Sequence, residues 1–414
     1  MDIKVVIGAG YGDEGKGLMT DYFCRTMQDN NVLNIKVNGG AQAGHTVCAL
    51  DDGEYKHWVF RQYGSGTFAK ADTYIAETFM FNIDEFIKER EALKSIYNIQ
   101  NRVYISRDCR ITLPIHILVN RLIEDNRTKK HGSCGLGIYE TFHMNKDFES
   151  IKFRDIIKKF CNSIIDTEKY INDLSYKYLE FRCEEINNTE EFSISSIDRQ
   201  QVLEECYKLN KIFIENLADL AKFEDISLVN NIDELSNMYN IYIFECSQGL
   251  ELDQYESRNW PHLTPSSTGI ENVCHILNKS NKLKNIDVEA CFVTRTYKTK
   301  HGAGPFVEED TEIQNQYGLY DRTNQPNQYQ GTLKYGTLNI GRLKRIIMKQ
   351  IMCANEKSEF NMIISLAVTH LDQTNGGILT NLGRIAIQDM LNSIRCINGK
   401  IYKSYGEKAT DIII

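Results

Sequence analysis

Ile3-Lys4-Val5-Val6-Ile7 runs directly into Gly8-Ala9-Gly10-Tyr11-Gly12-Asp13-Glu14-Gly15-Lys16-Gly17, and a helical stretch follows over 16–29. A short β-branched run, a glycine turn and a helix make a natural anion site. Backbone N–H groups and the positive helix end face one point, and glycine lets an anion approach the main chain closely. Gly10 to Lys16 satisfies the spacing GxxxxGK, but Gly17 stands where a phosphate-binding loop usually carries the Ser or Thr that holds Mg²⁺. Asp13 is unusual in such a loop. A carboxylate beside phosphates repels them unless a cation bridges the two or the carboxylate does chemistry.

Further strand-length apolar runs occur at 32–37, 241–244, 290–293 and 362–368. Continuous apolar runs of this length suit strands buried on both faces, as in a parallel sheet. A helix is expected over 84–96, with Phe86, Ile87, Leu93 and Ile96 on its apolar face. Alternating strands and helices predict a wound α/β fold, with a large, mainly parallel central sheet, flanking helices and a P-loop-like glycine loop. The stretch 139–233 differs, having no glycine and much Glu, Lys, Asn and Ile. It reads as a mainly helical insertion within one domain spanning 1–414. A helix is expected over 200–222, a weak strand over 178–182 and an exposed loop over 187–196.

Composition narrows the function. Of 414 residues, 48 are Lys or Arg and 56 are Asp or Glu, a net charge of −8. That balance argues against nucleic acid or an anionic membrane as a bulk-charge partner. No apolar stretch approaches the length of a membrane span, and the N-terminus lacks the longer apolar core of a secretory signal. The 12 cysteines are scattered without a CxxC pair. Reduced thiols in a cytoplasmic protein are expected, and neither a zinc ribbon nor a thioredoxin site.

A second glycine cluster, Asn38-Gly39-Gly40-Ala41-Gln42-Ala43-Gly44-His45-Thr46, follows the second apolar run. A histidine at such a strand end titrates near neutrality and can reach a reacting group. Taken together, GYGDEGKG and GGAQAGHT resemble the two signature blocks of the adenylosuccinate synthetase family. Later blocks agree in order: His131-Gly132-Ser133-Cys134-Gly135-Leu136-Gly137-Ile138 resembles GTTGRGIG, and Phe244-Glu245-Cys246-Ser247-Gln248-Gly249 resembles FEGAQG. Pro261-His262-Leu263-Thr264-Pro265-Ser266-Ser267 is similar to YPYVTSS, and Gly302-Ala303-Gly304-Pro305-Phe306 to GAGPFPTE. Thr369-His370-Leu371-Asp372 is similar to TKLD, and Ser404-Tyr405-Gly406 to the C-terminal STGP block.

The resemblance implies a ligase that joins L-aspartate to IMP with GTP and Mg²⁺, through a 6-phosphoryl purine. It implies Asp13 as base on the purine N1 proton, His45 at the donor's leaving oxygen and Lys16 on phosphate. Gly12, Gly15 and Gly17 would line the phosphates. Mg²⁺ would touch Asp13 and the Gly44 carbonyl. Gln42, Cys134, Gln248 and Thr264 match acceptor-nucleotide positions and His370 and Asp372 the donor-base pocket; Ser133 and Gly406, in their matching blocks, are further expected nucleotide-binding residues. A homodimer is also implied.

Departures are visible. Cys134 stands for a threonine, Leu136 for an arginine and His370 for a lysine. The arginine-rich aspartate loop is reduced to Gln330-Gly331-Thr332-Leu333-Lys334-Tyr335-Gly336, leaving Thr332 and Lys334 as expected aspartate contacts. The arginine that crosses the dimer interface has no clear match, and Lys146 and Arg154 are the nearby cations. PHLTPSS, QGTLKYG and SYG look more like the phage-type 2-aminoadenylosuccinate synthetases, which use dGMP and in some cases ATP. That branch carries Ser-Thr in place of Asp13-Glu14, so IMP is the favoured acceptor and dGMP the alternative. A different NTPase on the same glycine loop explains Lys16 but not the later blocks. A non-catalytic nucleotide sensor needs neither Asp13 nor His45. Trp260 and His301 remain open between pocket and bland roles, the histidine reading first as a solvated loop residue.

Overall fold

The computed structural model describes residues 1–27, 31–51, 53–128, 131–187, 198–323 and 331–414. Parts of three expectations fall outside these: the end of the first helix at 28–29, the loop at 188–196, and Gln330.

Ten strands form the central sheet. Its order is Ile412–Ile413, Ile401–Ser404, Met362–Thr369, Val288–Arg295, Asp2–Gly8, Ile241–Glu245, Val32–Lys36, Asp72–Ile75, Val103–Ser106 and Ile226–Val229. Every neighbouring pair is parallel except the last strand, which runs antiparallel to Ile401–Ser404. The first strand sits in the middle, with Val5 level with Phe244 on one side and Ala290 on the other.

Side-chain alternation along a strand explains the continuous apolar runs. Ile3, Val5 and Ile7 face a core completed by Leu343, Ile346 and Ile347 of helix Ile340–Lys357 and by Val273 and Leu277 of helix Ile270–Lys279. Val6 points the other way, into a cluster with Met19, Phe23 and Cys24 of helix Lys16–Thr26. The helix over Ile83–Tyr97 buries Phe86, Ile87 and Leu93 as expected, but Ile96 is exposed.

The stretch 139–233 is largely helical: Ile138–His143, Phe153–Asn162, Ile164–Asn187 and Arg199–Leu220. Strand Ile226–Val229 within it returns to the sheet edge beside Val103–Ser106. The expected strand at 178–182 is helix. In Ile164–Asn187 the buried positions are Thr167, Ile171, Leu174, Ser175, Tyr178, Leu179, Arg182, Cys183 and Ile186. That spacing of three and four is helical, and it outweighs the β preference of Tyr and Phe locally.

One buried ion pair ties these helices together. The Glu140 carboxylate accepts from Arg182 Nε at 2.7 Å, Arg182 Nη2 at 3.1 Å and the Tyr178 hydroxyl at 2.7 Å. Removing the cation strands a carboxylate that has almost no water contact. Arg182→Met is expected to destabilise the fold by about 3–5 kcal/mol, read as an earlier urea unfolding transition. A transition unchanged from the parent would show that Glu140 finds another partner.

Candidate active site

Parallel sheets place ligands outside the carboxyl ends of their strands. Here six central strands end at Gly8, Lys36, Glu245, Arg295, Thr369 and Ser404, and the segments after them surround one cleft. Its volume is about 1700 Å³. Sites for one small ligand run to roughly 300–1,000 Å³, so this cleft has room for more than one.

The first glycine loop forms its floor. Asp13 has φ 61°, a left-handed conformation uncommon for a residue with a side chain. Its carbonyl accepts from Arg295 Nε at 2.5 Å. Arg295 is buried and also donates to the Tyr297 hydroxyl and to Asp321. Burial raises the Asp13 carboxyl above the usual range; His301, Arg295 and Lys16 pull against it. Next to it, Glu14 turns inward. Its carboxylate accepts from Gly10 N at 2.9 Å, Gly12 N at 2.8 Å and Lys16 Nζ at 2.6 Å. Lys16 lines the cleft while paired with this buried neighbour.

Gly17 now has a physical reason. A Cβ there would lie 2.6 Å from the Thr46 carbonyl oxygen and 3.1 Å from His45 Cβ. The helix start packs directly on the His45 segment, so no Ser or Thr fits.

His45 begins strand His45–Asp51 and is buried. Its Nδ1 forms a short contact with Glu245 Oε1. Glu245 has no exposed surface and also accepts from Lys36 Nζ at 3.2 Å, Ser65 N at 3.0 Å and Ser65 Oγ at 2.5 Å. These donors hold the carboxylate well below its ordinary range against the cost of burial. Burial lowers His45 to about 4, with Glu245 opposing and Lys36 and Lys16 adding to the fall. The imidazole is therefore neutral at pH 7, its Nδ1–H given to Glu245 and its Nε2 carrying a lone pair.

The other walls come from later loops. Gln42, Gly44, Ser133, Cys134, Gln248, Thr264, His370, Asp372 and Gly406 all line the cleft, as do Gly12, Gly15 and Gly17. Asn120 holds the Ser133 loop, donating to Ser133 Oγ at 3.3 Å and accepting from Gly137 N at 3.2 Å. Burial raises the Cys134 thiol. His370 adopts φ 62°, and its Nδ1 meets Thr369 Oγ1 at 2.8 Å. Burial and Arg295 depress it well below the usual histidine range.

Thr332 and Lys334 are not brought to this lining. Lys334 starts a short strand antiparallel to Lys298–Lys300, and its Nζ lies 3.5 Å from Glu309 Oε2. Thr332 is exposed. The register partner of Lys334, Lys300, does line the cleft and is brought down to about 8 by burial and by the neighbouring Lys334 charge. Lys146 also lines the cleft, whereas Arg154 is exposed and pairs with Asp108 at 2.8 Å. Trp260 sits at the rim, 76% exposed.

Sequence reasoning did not single out Glu245, Glu14 or Arg295, and it read His301 first as a solvated loop residue. His301 lines the cleft with Nε2 3.4 Å from Asp13 Oδ2. A Glu closing an otherwise apolar strand was the one local signal for Glu245.

Among the described residues, no group of three or more His, Cys, Asp or Glu side chains could hold a metal ion by itself. Asp13 and Gly44 both border the cleft, and they offer a carboxylate and a main-chain carbonyl. Two hard oxygen donors fit Mg²⁺, which typically takes its remaining ligands from phosphates and water.

The fold and cleft define an α/β enzyme with a glycine loop on the cleft floor and a buried acid–histidine pair in its wall. The adenylosuccinate synthetase family model matches residues 5–393, and the chain belongs to that family. It is a C–N ligase, and the family's chemistry is purine biosynthesis. A curated relative, adenylosuccinate synthetase from Borrelia recurrentis (strain A1), is 26% identical over 414 residues, covering 97% of this chain and 82% of its own. Among solved structures, the fully ligated adenylosuccinate synthetase from Plasmodium falciparum superposes with a TM-score of 0.69 at 18% identity, covering 100% of both chains. The succinoaminodeoxyadenylate synthetase of cyanophage S-2L, bound to dGMP and to dATP as an energy donor, gives 0.61 at 13% identity, covering 100% of this chain and 95% of its own. Among the described residues, no helix is long and apolar enough to cross a membrane.

Two outcomes are expected from this geometry. Gly17→Ser restores the usual loop residue but pushes on backbone, so it should destabilise by about 1–3 kcal/mol and not raise activity; a more active or more stable variant would refute the packing argument. His45 is depressed on folding to about 4, so the unfolded chain binds the extra proton first. Stability tied to neutral His45 is present above about pH 6.5 and lost as pH falls toward about 4. A His45→Gln chain should lose melting temperature less steeply over that window.

Proposed function

We propose that this ligase joins L-aspartate to the 6-position of a purine nucleoside monophosphate, IMP being the favoured acceptor, with GTP as phosphoryl donor. The observation that carries the reading is the juxtaposition in one cleft of Asp13, set in the phosphate loop, and His45, oriented by Glu245. Neither is needed to hold a nucleotide.

Asp13 takes the N1 proton of the 6-oxopurine, and the electron pair shifts to the 6-oxygen. That oxygen attacks the donor's γ-phosphorus, and the bond to the bridging oxygen breaks. The raised carboxyl pKa suits a base, since proton transfer works best between groups of similar pKa. His45 faces the leaving diphosphate. The negative charge of the phosphates favours the imidazolium, so donor binding turns a neutral ring into an acid and hydrogen-bond donor. The aspartate amine then displaces the 6-phosphate. Phosphorylation is required because a purine oxygen is otherwise a poor leaving group. Mg²⁺, held by Asp13 and the Gly44 carbonyl, would offset phosphate charge. Gln42 Oε1 is buried with no partner within the protein, and the acceptor nucleotide would satisfy it. Lys300 and Lys146 supply cationic surface for carboxylate or phosphate groups. Assembly as a homodimer belongs to the same proposal.

The PHLTPSS and QGTLKYG blocks favour a second acceptor, dGMP, with ATP or GTP as donor. Phosphate release is therefore to be measured with IMP or dGMP, GTP or ATP, Mg²⁺ and L-aspartate, with products weighed by mass spectrometry. Release that needs all components, with a succinyl-purine product, is expected. Release without aspartate would make the chain an NTPase, and no release with any combination would make it a sensor. Asp13→Asn and His45→Ala should each lower turnover by roughly 10²–10⁴-fold; rates within a few-fold of the parent would remove these roles.

A further inference from the structure

Asp13 is held from two sides. Its main chain is fixed in the left-handed region, with the carbonyl caught by Arg295. The guanidinium cannot drift, because Asp321 and Tyr297 occupy its two terminal nitrogens and the side chain is buried. Backbone restraint leaves the carboxylate free to rotate about its own χ angles, and Asp13 is a quarter exposed to the cleft, at 25%. A base that swings cannot stay within reach of one ring proton.

The only side chain recorded in ion-pair contact with that carboxylate among the described residues is His301, with Nε2 3.4 Å from Oδ2. His301 follows Lys300, whose ammonium donates to the carbonyls of His301, Gly302 and Ala303. This lysine cap fixes the turn that presents the ring. The far edge of the ring, Nδ1, is buried and has no hydrogen-bond partner. With Nδ1 buried and without a partner, Nε2 is the ring nitrogen that faces Asp13, at ion-pair distance from its carboxylate.

We propose that His301 is a positioning residue for Asp13: it sets the rotamer of the carboxylate so that one oxygen stays aimed at the acceptor's N1 proton. This deepens the proposed function and rests on Asp13 being the base. The loss on removing His301 should fall on turnover and not on binding, because a misplaced base costs orientation and leaves nucleotide contacts intact.

The test uses the full chain and whichever acceptor and donor support turnover. His301→Ala is expected to lower kcat by roughly 10–100-fold, with KM for both nucleotides within about twofold of the parent. His301→Gln, whose amide nitrogen reaches as far as Nε2, should recover most of that loss. In the Asp13→Asn background, His301→Ala should cost nothing further. Parent-like kcat in His301→Ala would overturn the proposal, as would a rise in KM with kcat unchanged, or a Gln variant no better than Ala. A further fall in the double variant would also overturn it, since His301 would then act on something other than Asp13. Melting temperatures of the variants separate these results from misfolding. If Asp13→Asn itself keeps parent turnover, the base assignment fails. If Asp13→Asn is crippled while His301→Ala is not, the positioning role alone fails.

Discussion

The Glu245 carboxylate is the point on which this molecule turns. It sits at the end of a central strand with no exposed surface, and it binds Lys36 from the next strand, Ser65 from a short helical turn and His45 from the following hairpin. A lone buried charge would cost several kcal/mol, so each donor is obligatory. Satisfying the carboxylate forces four separated segments to converge. The same contacts fix which nitrogen of His45 faces the cleft. Structural demand and chemical orientation are thus one set of hydrogen bonds.

The glycine loop solves a similar problem with its own anion. Inward-pointing amides of Gly10 and Gly12 and the Lys16 ammonium all meet Glu14. This internal carboxylate shapes the loop and leaves Asp13 as the acidic group that turns outward. Arg295 then reaches over from a neighbouring strand to hold the Asp13 carbonyl. Two adjacent carboxylates in one short loop have opposite fates because one finds three donors inside the loop and the other faces the cleft, with only His301 beside it among the described ion pairs. Burial without such donors is what lifts Asp13 above an ordinary carboxylate.

Much of the fold was legible because apolar runs report burial directly. The five runs that read as buried strands are strands, and the helices at 84–96 and 200–222 lie where periodicity placed them, to within a residue or two. Tyr178–Arg182 misled because aromatic residues favour strands in isolation, while their faces were set by helix spacing over a much longer stretch. Thr332 and Lys334 stand outside the cleft lining because the short strand Lys334–Gly336 pairs with Lys298–Lys300, a pairing between separated segments that the local sequence does not announce.

What the chain alone determined was the kind of site: a strand, a glycine turn with an acid inside it, and a histidine after a second glycine turn, in an order that marks the family. These are local features, carried by residue type and short spacing. What only the tertiary structure decided were the partners. Glu245 lies 200 residues from His45, and Arg295 lies 282 from Asp13. Such pairs form because parallel strands bring distant segments to one edge, and no short-range pattern in the sequence records which of them will be neighbours.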